Sequence, residues 1–303
     1  MSLPRFSYLR PKNLKEACLM LAEHEERARI LAGGTDLLIK MQHRSVQPEY
    51  IIGISNIPHT DYIRIEDHQV AIGANAKIAA VGGDPQIQHY FPALAYAAGV
   101  TATVQIRNMG TVVGNICNAS PAADTATALL VYDAVVVIMH TEGQRVLPLN
   151  EFFRGPGITA LEPGELVKEL LLPLPPGLSG SDYQKLSARS KVDIAAIGVS
   201  ACLFADEREV VTVARIAVGA AAPVPKRIEG AEKTLEGKKL TPALITKAAQ
   251  FTMDQTSPIT DTRASAQYRE KMVEVLTRRA LDSSLEQIRT KLTGHENGKS
   301  TKS

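Results

Sequence analysis

The sequence contains little cysteine. Its three cysteines, Cys18, Cys117 and Cys202, are widely spaced, and no Cys-x-x-Cys pair is present. An odd number of distant cysteines argues against a disulfide framework. Without paired cysteines, the chain has no standard ligand set for an iron–sulfur cluster or a structural zinc ion. Cys117 lies inside a glycine-bearing turn, where we expect a small buried side chain rather than a redox group.

Charge of one sign and long apolar runs are also scarce. The 34 Lys and Arg residues nearly balance the 32 Asp and Glu residues, so the net charge of +2 gives no electrostatic reason to expect nucleic-acid or membrane binding. The longest aliphatic stretch, residues 134–139, is far too short to span a bilayer. The first six residues lack the apolar segment of a signal peptide, so we expect a cytoplasmic protein.

Recognisable metal and hydrolase patterns are missing as well. The seven histidines are scattered, and none forms a His-Glu-x-x-His motif, so we predict no metal site. Ser187 and Asp193 have no histidine near them in the sequence. A hydrolytic triad built on them is therefore not expected.

Two glycine-bearing turns are the most informative features that are present. The first covers residues 31–37, and the second covers residues 111–116 together with the following segment 119–124. Each follows a short apolar run and precedes a predicted helix start. A backbone without Cβ atoms beside a helix N-terminus presents N–H groups to an anion. The two turns could hold both phosphates of one dinucleotide, although neither matches a Rossmann or P-loop motif.

The residues around the first turn predict a βα unit. Apolar residues at helical spacing predict a helix over 14–24 with Asn13 as its N-cap. Residues 29–31 predict a short strand that runs into the turn, and residues 37–43 predict the next helix, capped by Thr35 or Asp36. We expect the Asp36 carboxylate to accept backbone N–H bonds and hold the turn, which leaves the glycine N–H groups open to a ligand.

A further helix start is predicted at Ser120. This serine is a favourable N-cap, and Pro121 would occupy the first helical position, where its missing N–H is harmless. We expect the helix to continue to Tyr132 and to be followed by a buried strand over residues 134–140.

The Leu- and Pro-rich segment 170–177 is the predicted domain boundary. Beyond it, residues 194–204 and 210–218, with the stretch before them, predict a small antiparallel sheet. Three amphipathic helices are predicted to follow, near residues 227–235, 242–252 and 264–281. The last thirteen residues, 291–303, are polar and are expected to be disordered.

Small polar side chains accompany both turns. A glycine turn taken alone favours a structural interpretation, because such turns are common between strands and helices. The pair gains weight because hydroxyls and amides can bond phosphate or ribityl oxygens. These side chains are Thr35, Asp36, Thr111, Asn115, Ser120 and Asp124. Asp124 can complement the helix dipole or accept a sugar or ribityl hydroxyl, and the sequence leaves both roles open.

The two turns belong to a longer ordered pattern. It starts with Ala-Gly-Gly-Thr-Asp-Leu and Ile-Arg-Asn-x-x-Thr-x-x-Gly-Asn-Ile-x-x-Ala-Ser-Pro-x-x-Asp. Its later parts are residues 185–189, 193–195, 222–227, 265–269 and 278–281. Together these motifs cover about residues 4–285. They resemble the FAD-binding medium subunits of molybdenum hydroxylases, the relatives of xanthine dehydrogenase, carbon monoxide dehydrogenase and 4-hydroxybenzoyl-CoA reductase.

The resemblance implies an α+β fold. A two-part FAD-binding domain of the PCMH type would be followed by a small C-terminal domain of antiparallel sheet plus helices. The implied boundaries are 1–175 for the FAD-binding domain, with subdomains of about 1–56 and 57–175, and 178–285 for the C-terminal domain. The polar tail 291–303 would lie outside both.

The resemblance also implies the cofactor and its site. FAD would be held by Leu31, Ala32, Gly33, Gly34, Thr35, Asp36, Leu37, Thr111, Gly114, Asn115, Ser120, Asp124 and Lys185. The first turn would wrap the pyrophosphate, and the second would hold pyrophosphate and ribityl. Lys185 would lie toward the flavin ring, unless it is simply a solvated surface lysine. No catalytic acid–base group is implied.

The implied activity is electron transfer within a larger enzyme. A large molybdopterin-binding subunit would oxidise the substrate, and a small [2Fe–2S] subunit would pass electrons to FAD in this chain. NAD, a quinone, oxygen or another carrier would accept them. The assembly would be a dimer of heterotrimers. Two alternatives stay open, namely a freestanding FAD-dependent oxidoreductase and a scaffold subunit without flavin.

Two positions depart from the family pattern. Many relatives have glycine where this chain has Val113, which removes the freedom to adopt positive φ. Several relatives have an aromatic residue where this chain has Ile194. The flavin face is therefore expected to be covered by an aliphatic side chain here or to be open.

Overall fold

The computed structural model describes residues 3–299, with the backbone alone described for 294–299. Two compact units are present, and the chain passes between them more than once. The first unit consists of Met1–Val81, Thr103–Ser120 and Asp133–Pro173. The second consists of Gly82–Ala102, Pro121–Tyr132 and Leu174–Ser303.

The α-helices of the described chain are short, apart from those near its C-terminal end. They are α1 (Leu14–His24), α2 (Leu37–Gln42), α3 (Ile78–Gly83), α4 (Pro85–Tyr90), α5 (Pro92–Val100), α6 (Val104–Met109), α7 (Val112–Cys117), α8 (Asp124–Leu130), α9 (Leu149–Phe152), α10 (Glu229–Leu235), α11 (Pro242–Asp254) and α12 (Ala266–Lys299).

The strands of the described residues form four separate sheets. They are β1 (Ser7–Leu9), β2 (Ala28–Leu31), β3 (Tyr50–Gly53), β4 (Ile63–Glu66), β5 (Gln69–Gly73), β6 (Val135–His140), β7 (Gly143–Pro148), β8 (Phe153–Gly155), β9 (Ile158–Thr159), β10 (Leu166–Pro173), β11 (Leu178–Leu186), β12 (Ile197–Ala205), β13 (Val210–Gly219), β14 (Lys226–Arg227) and β15 (Lys238–Lys239).

A parallel sheet in the first unit carries the first glycine turn. Its strand order is β1-β3-β2, and Leu31 at the end of β2 pairs with Gly53 at the end of β3. Helix α1 packs Ala17, Cys18 and Leu21 into the cluster that contains the sheet residue Ile52. The predicted strand and helices around this turn are confirmed by β2, α1 and α2. The turn therefore leaves the carboxyl edge of a parallel sheet, where ligands commonly bind in α/β folds.

Two antiparallel sheets complete the first unit. The larger has the strand order β4-β5-β10-β6-β7, and β8 pairs with β9 in the smaller. Strand β10 lies at the centre of the larger sheet and pairs with both β5 and β6. The buried strand predicted over residues 134–140 is confirmed by β6, whose central residues are buried.

The second unit is built on one antiparallel sheet covered by helices. The order is β11-β12-β13-β14, with β15 also paired to β13. Apolar residues of β12 and β13, including Ile197 and Ile216, form one core with Leu235, Ile245 and Leu276 of the helices. The predicted antiparallel sheet and the three later helices are confirmed, and the α+β class with it.

The predicted helix start at Ser120 and Pro121 is wrong. Helix α8 begins at Asp124, and Ala123 is its N-cap residue without a side-chain cap bond. The Pro121 carbonyl accepts a hydrogen bond from the Ala220 N–H at 2.6 Å. That carbonyl therefore bonds to a residue outside the helix, and the first helical turn begins later in the chain.

Helix α12 is described as far as Lys299, so residues 291–299 of the segment that we expect to be disordered lie within it. The remaining predicted tail, residues 300–303, lies outside the described residues. No helix in the described part of the chain is both long and apolar enough to cross a membrane.

Candidate functional site

The two glycine turns lie against each other in the first unit. Gly33 packs on the carbonyl oxygen of Met109 and on the Cα atom of Gly110, and a Cβ atom at Gly33 would overlap both. On the other side of this contact, the Thr35 hydroxyl faces Gly110, at 3.4 Å from where a Cβ atom would stand. Glycine is therefore required at position 33, because the backbones of the two turns meet there.

The first turn presents a series of unpaired backbone donors. In the described part of the chain, the N–H groups of residues 33–37 have no hydrogen-bond acceptor, and the first helical bond of this region runs from Leu38 to the Gly34 carbonyl. Gly34 has a φ of 75°, a conformation that favours glycine. Successive N–H groups around such a residue form a concave anion-binding nest.

A chain of side-chain hydrogen bonds also joins the turns. Asn118, which follows α7, donates from Nδ2 to Asp36 Oδ1 at 3.0 Å and accepts at Oδ1 from Lys40 Nζ at 2.6 Å. Burial raises the pKa of Asp36, and Lys40 lowers it in part. The expectation that Asp36 caps backbone N–H groups is wrong, since its carboxylate makes no cap bond to α2. The nest stays open because Asp36 is turned toward Asn118.

Asn118 was not among the residues that sequence reasoning selected. The only feature of the local sequence that marks Asn118 is its position at the end of a short helix, where asparagine is common. Its partners lie 82 and 78 residues away, so no spacing rule could have found them.

Replacing Asn118 by alanine is expected to lower the free energy of unfolding by about 1 kcal/mol, the usual value of a hydrogen bond between side chains. The loss follows because Asp36 and Lys40 would both lose their partner. Urea unfolding monitored by circular dichroism measures this change. Asn108, which is exposed on α6, provides the control. Equal midpoints for N118A and N108A would contradict the bridging role.

The second turn uses most of its own donors. Thr111 is the N-cap of α7, and its hydroxyl accepts from the Gly114 N–H at 2.9 Å. The Val112 N–H donates to the Ala76 carbonyl at 3.1 Å. A Cβ atom added at Gly114 would lie only 2.7 Å from the Thr111 hydroxyl oxygen, so glycine at this position leaves room for the cap bond. In the described chain, the second turn is thus held by its own hydrogen bonds and does not present a row of free N–H groups.

Val113 requires no special backbone conformation. It lies within α7, its side chain is buried, and it is not among the described residues with positive φ. The valine therefore packs inward without backbone strain. Asn115, two residues later on the same helix, is half-buried. The departure from the family pattern at position 113 therefore leaves the Thr111 cap bond to Gly114 in place.

A buried charged cluster occupies the second unit. Asp124 at the start of α8 accepts from Tyr183 Oη at 2.5 Å and from Lys185 Nζ at 3.0 Å. Lys185 also donates to the Val100 carbonyl at 3.1 Å, and the Thr101 hydroxyl bonds the same carboxylate. The side chains of Lys185 and Asp124 are only 4% and 7% exposed. Lys185 is therefore a buried partner of Asp124 and not a solvated surface lysine.

Burial and the neighbouring donors have opposite effects on the pKa of the Asp124 carboxyl. Burial raises the pKa of Asp124, while Lys185 and the hydrogen bonds of Tyr183 and Thr101 lower it. Burial also raises the pKa of Tyr183 well above its usual value, and the neighbouring Asp124 adds to this. Since protein donors already engage both carboxylate oxygens, the cluster has a structural role in the second unit. Contact of Asp124 and Lys185 with a cofactor stays a prediction.

The remaining candidates fall in different settings. Ser120 and Cys117 are half-buried in the first unit, and Ile194 is 55% exposed in the second. Burial raises the pKa of the Cys117 thiol to about 12, so it stays protonated at neutral pH and is a poor nucleophile. Among the described residues, no group of three or more His, Cys, Asp or Glu side chains could hold a metal ion.

Comparison with protein families adds to this geometry. A family model described as the FAD binding domain in molybdopterin dehydrogenase matches residues 4–175. A second model, the CO dehydrogenase flavoprotein C-terminal domain, matches residues 182–284. Both glycine turns fall within the first match, and Lys185 falls within the second.

Individual proteins are similar over nearly their whole length. The xanthine dehydrogenase FAD-binding subunit of Escherichia coli O157:H7 is 34% identical, with 92% of this chain and 96% of that protein covered. The carbon monoxide dehydrogenase medium chain of Hydrogenophaga pseudoflava is also 34% identical, with 93% and 97% covered. A solved structure of carbon monoxide dehydrogenase from the latter organism superposes with a TM-score of 0.91, at 34% identity, over 95% of this chain and 99% of the other.

Proposed function

Since this chain belongs to the family of FAD-binding subunits of the molybdopterin dehydrogenases, we propose that it is the subunit through which a molybdenum hydroxylase passes its electrons to an acceptor. FAD is its cofactor, and the protein is the flavoprotein component of an oxidoreductase. The proposed location is the cytoplasm.

The anion nest of the first turn carries the proposal. Residues 33–37 present consecutive N–H groups without an acceptor in the described chain, at the carboxyl edge of the parallel sheet. A diphosphate needs several convergent donors, and the positive φ of Gly34 lets successive N–H groups point to one side. The donor set therefore fits the pyrophosphate of FAD. We assign this contact to residues 31–37.

The second turn is assigned to the neighbouring part of the cofactor. Gly114 leaves room for the Thr111 cap bond that holds this turn, and Asn115 supplies an amide on the same helix. Amide groups bond equally well to phosphate and to ribityl hydroxyls. Thr111 contributes by capping α7, which fixes the position of Gly114. Ser120 is the remaining polar residue of this segment that we assign to the cofactor.

The chain's own residues bind and orient the cofactor rather than perform acid–base chemistry. FAD supplies the redox chemistry, since a flavin accepts electrons one at a time and releases them singly or as a pair. The two turns fix each other through the Gly33 contact and the Asn118 bridge, so the binding donors are preorganised. Preorganised donors cost little ordering entropy when the ligand arrives.

The partner chains are proposed from chemistry and from the relatives. The sequence has no Cys-x-x-Cys pair, so electrons that arrive through iron–sulfur clusters must come from another chain. Similar proteins bear names such as medium chain and FAD-binding subunit. We assign a small [2Fe–2S] subunit as the electron donor and a large molybdopterin subunit as the site of substrate oxidation. The proposed assembly is a dimer of heterotrimers.

Flavin reduction in the isolated chain and in the complex tests this role. The chain purified alone is expected to contain FAD and to stay oxidised when xanthine, nicotinate, glyceraldehyde or carbon monoxide is added. A complex purified through a tag on this chain should contain molybdopterin and should show the electron paramagnetic resonance signals of [2Fe–2S] clusters. Adding the substrate of that complex should bleach the flavin absorption. Substrate turnover by the isolated chain would contradict the proposal and favour a freestanding oxidoreductase.

A further inference from the structure

Lys77 lies beside both glycine turns, although no motif in the sequence includes it. Residues 76–78 pair with residues 110–112 through two backbone hydrogen bonds, from Ile78 to Gly110 at 3.0 Å and from Val112 to Ala76 at 3.1 Å. Lys77 is bridged to Thr111 between these two bonds. Its backbone is therefore fixed at the start of the second turn.

The side chain of Lys77 reaches back toward the first turn. Its ammonium group donates to the Met109 carbonyl oxygen at 3.0 Å. The same oxygen packs against Gly33. A single carbonyl group therefore separates this positive charge from the first glycine of the anion nest.

In the described part of the chain, the ammonium group makes no ion pair with a carboxylate. In the part of the chain that the structure describes, no acidic group lies within ion-pair distance of Lys77 Nζ. Partial burial lowers its pKa, and the more distant charge of Asp61 raises it in part. A half-buried cation that lacks a counter-ion gains from any anion that binds beside it.

We infer that Lys77 supplies the positive charge that neutralises the diphosphate of the cofactor bound by the two turns. This inference rests on the proposed function, because it assumes that the nest takes a pyrophosphate. The N–H groups of residues 33–37 are neutral donors, and Asp36 beside them is acidic. Lys40 offsets the charge of Asp36 in part, and the fixed cation of Lys77 at the junction of the turns adds positive charge for a diphosphate.

A lysine at this position acts as a specificity-determining residue. It favours a flavin nucleotide with phosphates over riboflavin, which has none. Removing the charge is expected to weaken FAD binding about tenfold, equivalent to about 1.4 kcal/mol. Because the lost term is electrostatic, the affinity of the neutralised variant should depend less on salt concentration.

FAD titration of the full-length apoprotein tests the inference. Dissociation constants for wild type, K77M, K77R and K15M are measured by flavin fluorescence at low and high salt. K77M should bind FAD about tenfold more weakly and with a shallower salt dependence, and K77R should keep most of the affinity. Lys15 is exposed on α1, so K15M should match the wild type.

The outcomes separate this inference from the proposed function. If K77M has the same FAD dissociation constant as the wild type at both salt concentrations, the role of Lys77 is overturned while the FAD site stays in place. A lower affinity in K77M with unchanged salt dependence and a lower urea midpoint would also overturn it, because Lys77 would then only brace the Met109 carbonyl. A wild-type chain that binds no FAD would instead remove the proposed function itself.

Discussion

A Gly33→Val variant is expected to fold and to retain almost no FAD. A Cβ atom at this position would overlap the Met109 carbonyl oxygen and the Gly110 Cα, which are backbone atoms with no free rotation to relieve the clash. The two turns would have to separate, and the donors of the nest would lose their arrangement. We expect the FAD affinity to fall more than about a hundredfold, a change of about 2.7 kcal/mol.

Flavin content after purification measures this effect. The ratio of visible flavin absorption to protein is compared for wild type, G33V and G143V, with circular dichroism as the check on folding. Gly143 is the matched control, because it is an exposed strand residue of the same unit whose Cβ would meet only the His140 ring at 3.8 Å. A G33V protein with the flavin content of the wild type would remove Gly33 from the site.

An Asp124→Ala variant is expected to show the largest loss of stability. It would leave the Lys185 ammonium buried at 4% exposure without its carboxylate partner, and Tyr183 would lose its acceptor. Breaking a buried ion pair from one side usually costs about 3–5 kcal/mol. Urea unfolding of the apoprotein should therefore show a much lower midpoint for D124A.

Two further variants identify the cause of that loss. In D124A/K185M the uncompensated charge is absent, so part of the stability should return. In D193A the pair with Arg189 is broken, but Arg189 is 85% exposed, and the expected loss of stability is small. If D124A and D193A unfold at the same urea concentration, the buried cluster does not stabilise the second unit as described.

The sequence predicted local elements better than the contacts between them. A short apolar run predicted the strand before Gly33, and a capping residue predicted the helix after it, because both signals depend on neighbours within one element. The glycines marked the turn for the same reason. The Asn118 bridge joins residues 82 and 78 positions apart, which no local pattern encodes. Asp36 was consequently assigned to its own helix rather than to Asn118.

Tertiary contacts also overrode good local signals. Ser120 and Pro121 form a favourable helix start, yet the bond from Ala220 to the Pro121 carbonyl moves the start of α8 to Asp124. Lys185 could be interpreted as solvated from its charge alone, because its burial depends on Asp124, a residue 61 positions earlier. Lys77 gave no signal in the sequence, since its importance comes only from the pairing of residues 76–78 with the second turn.

The most direct test of FAD binding by this chain is the absorption spectrum of the purified full-length protein, with the flavin-to-protein ratio determined after excess FAD is added and removed. We predict about one FAD per chain, with visible flavin bands that dithionite bleaches. The ratio should drop close to zero in G33V and stay unchanged in G143V. A colourless wild-type protein that remains colourless after incubation with FAD, both alone and when coexpressed with its partner subunits, would contradict the proposal that this chain binds FAD.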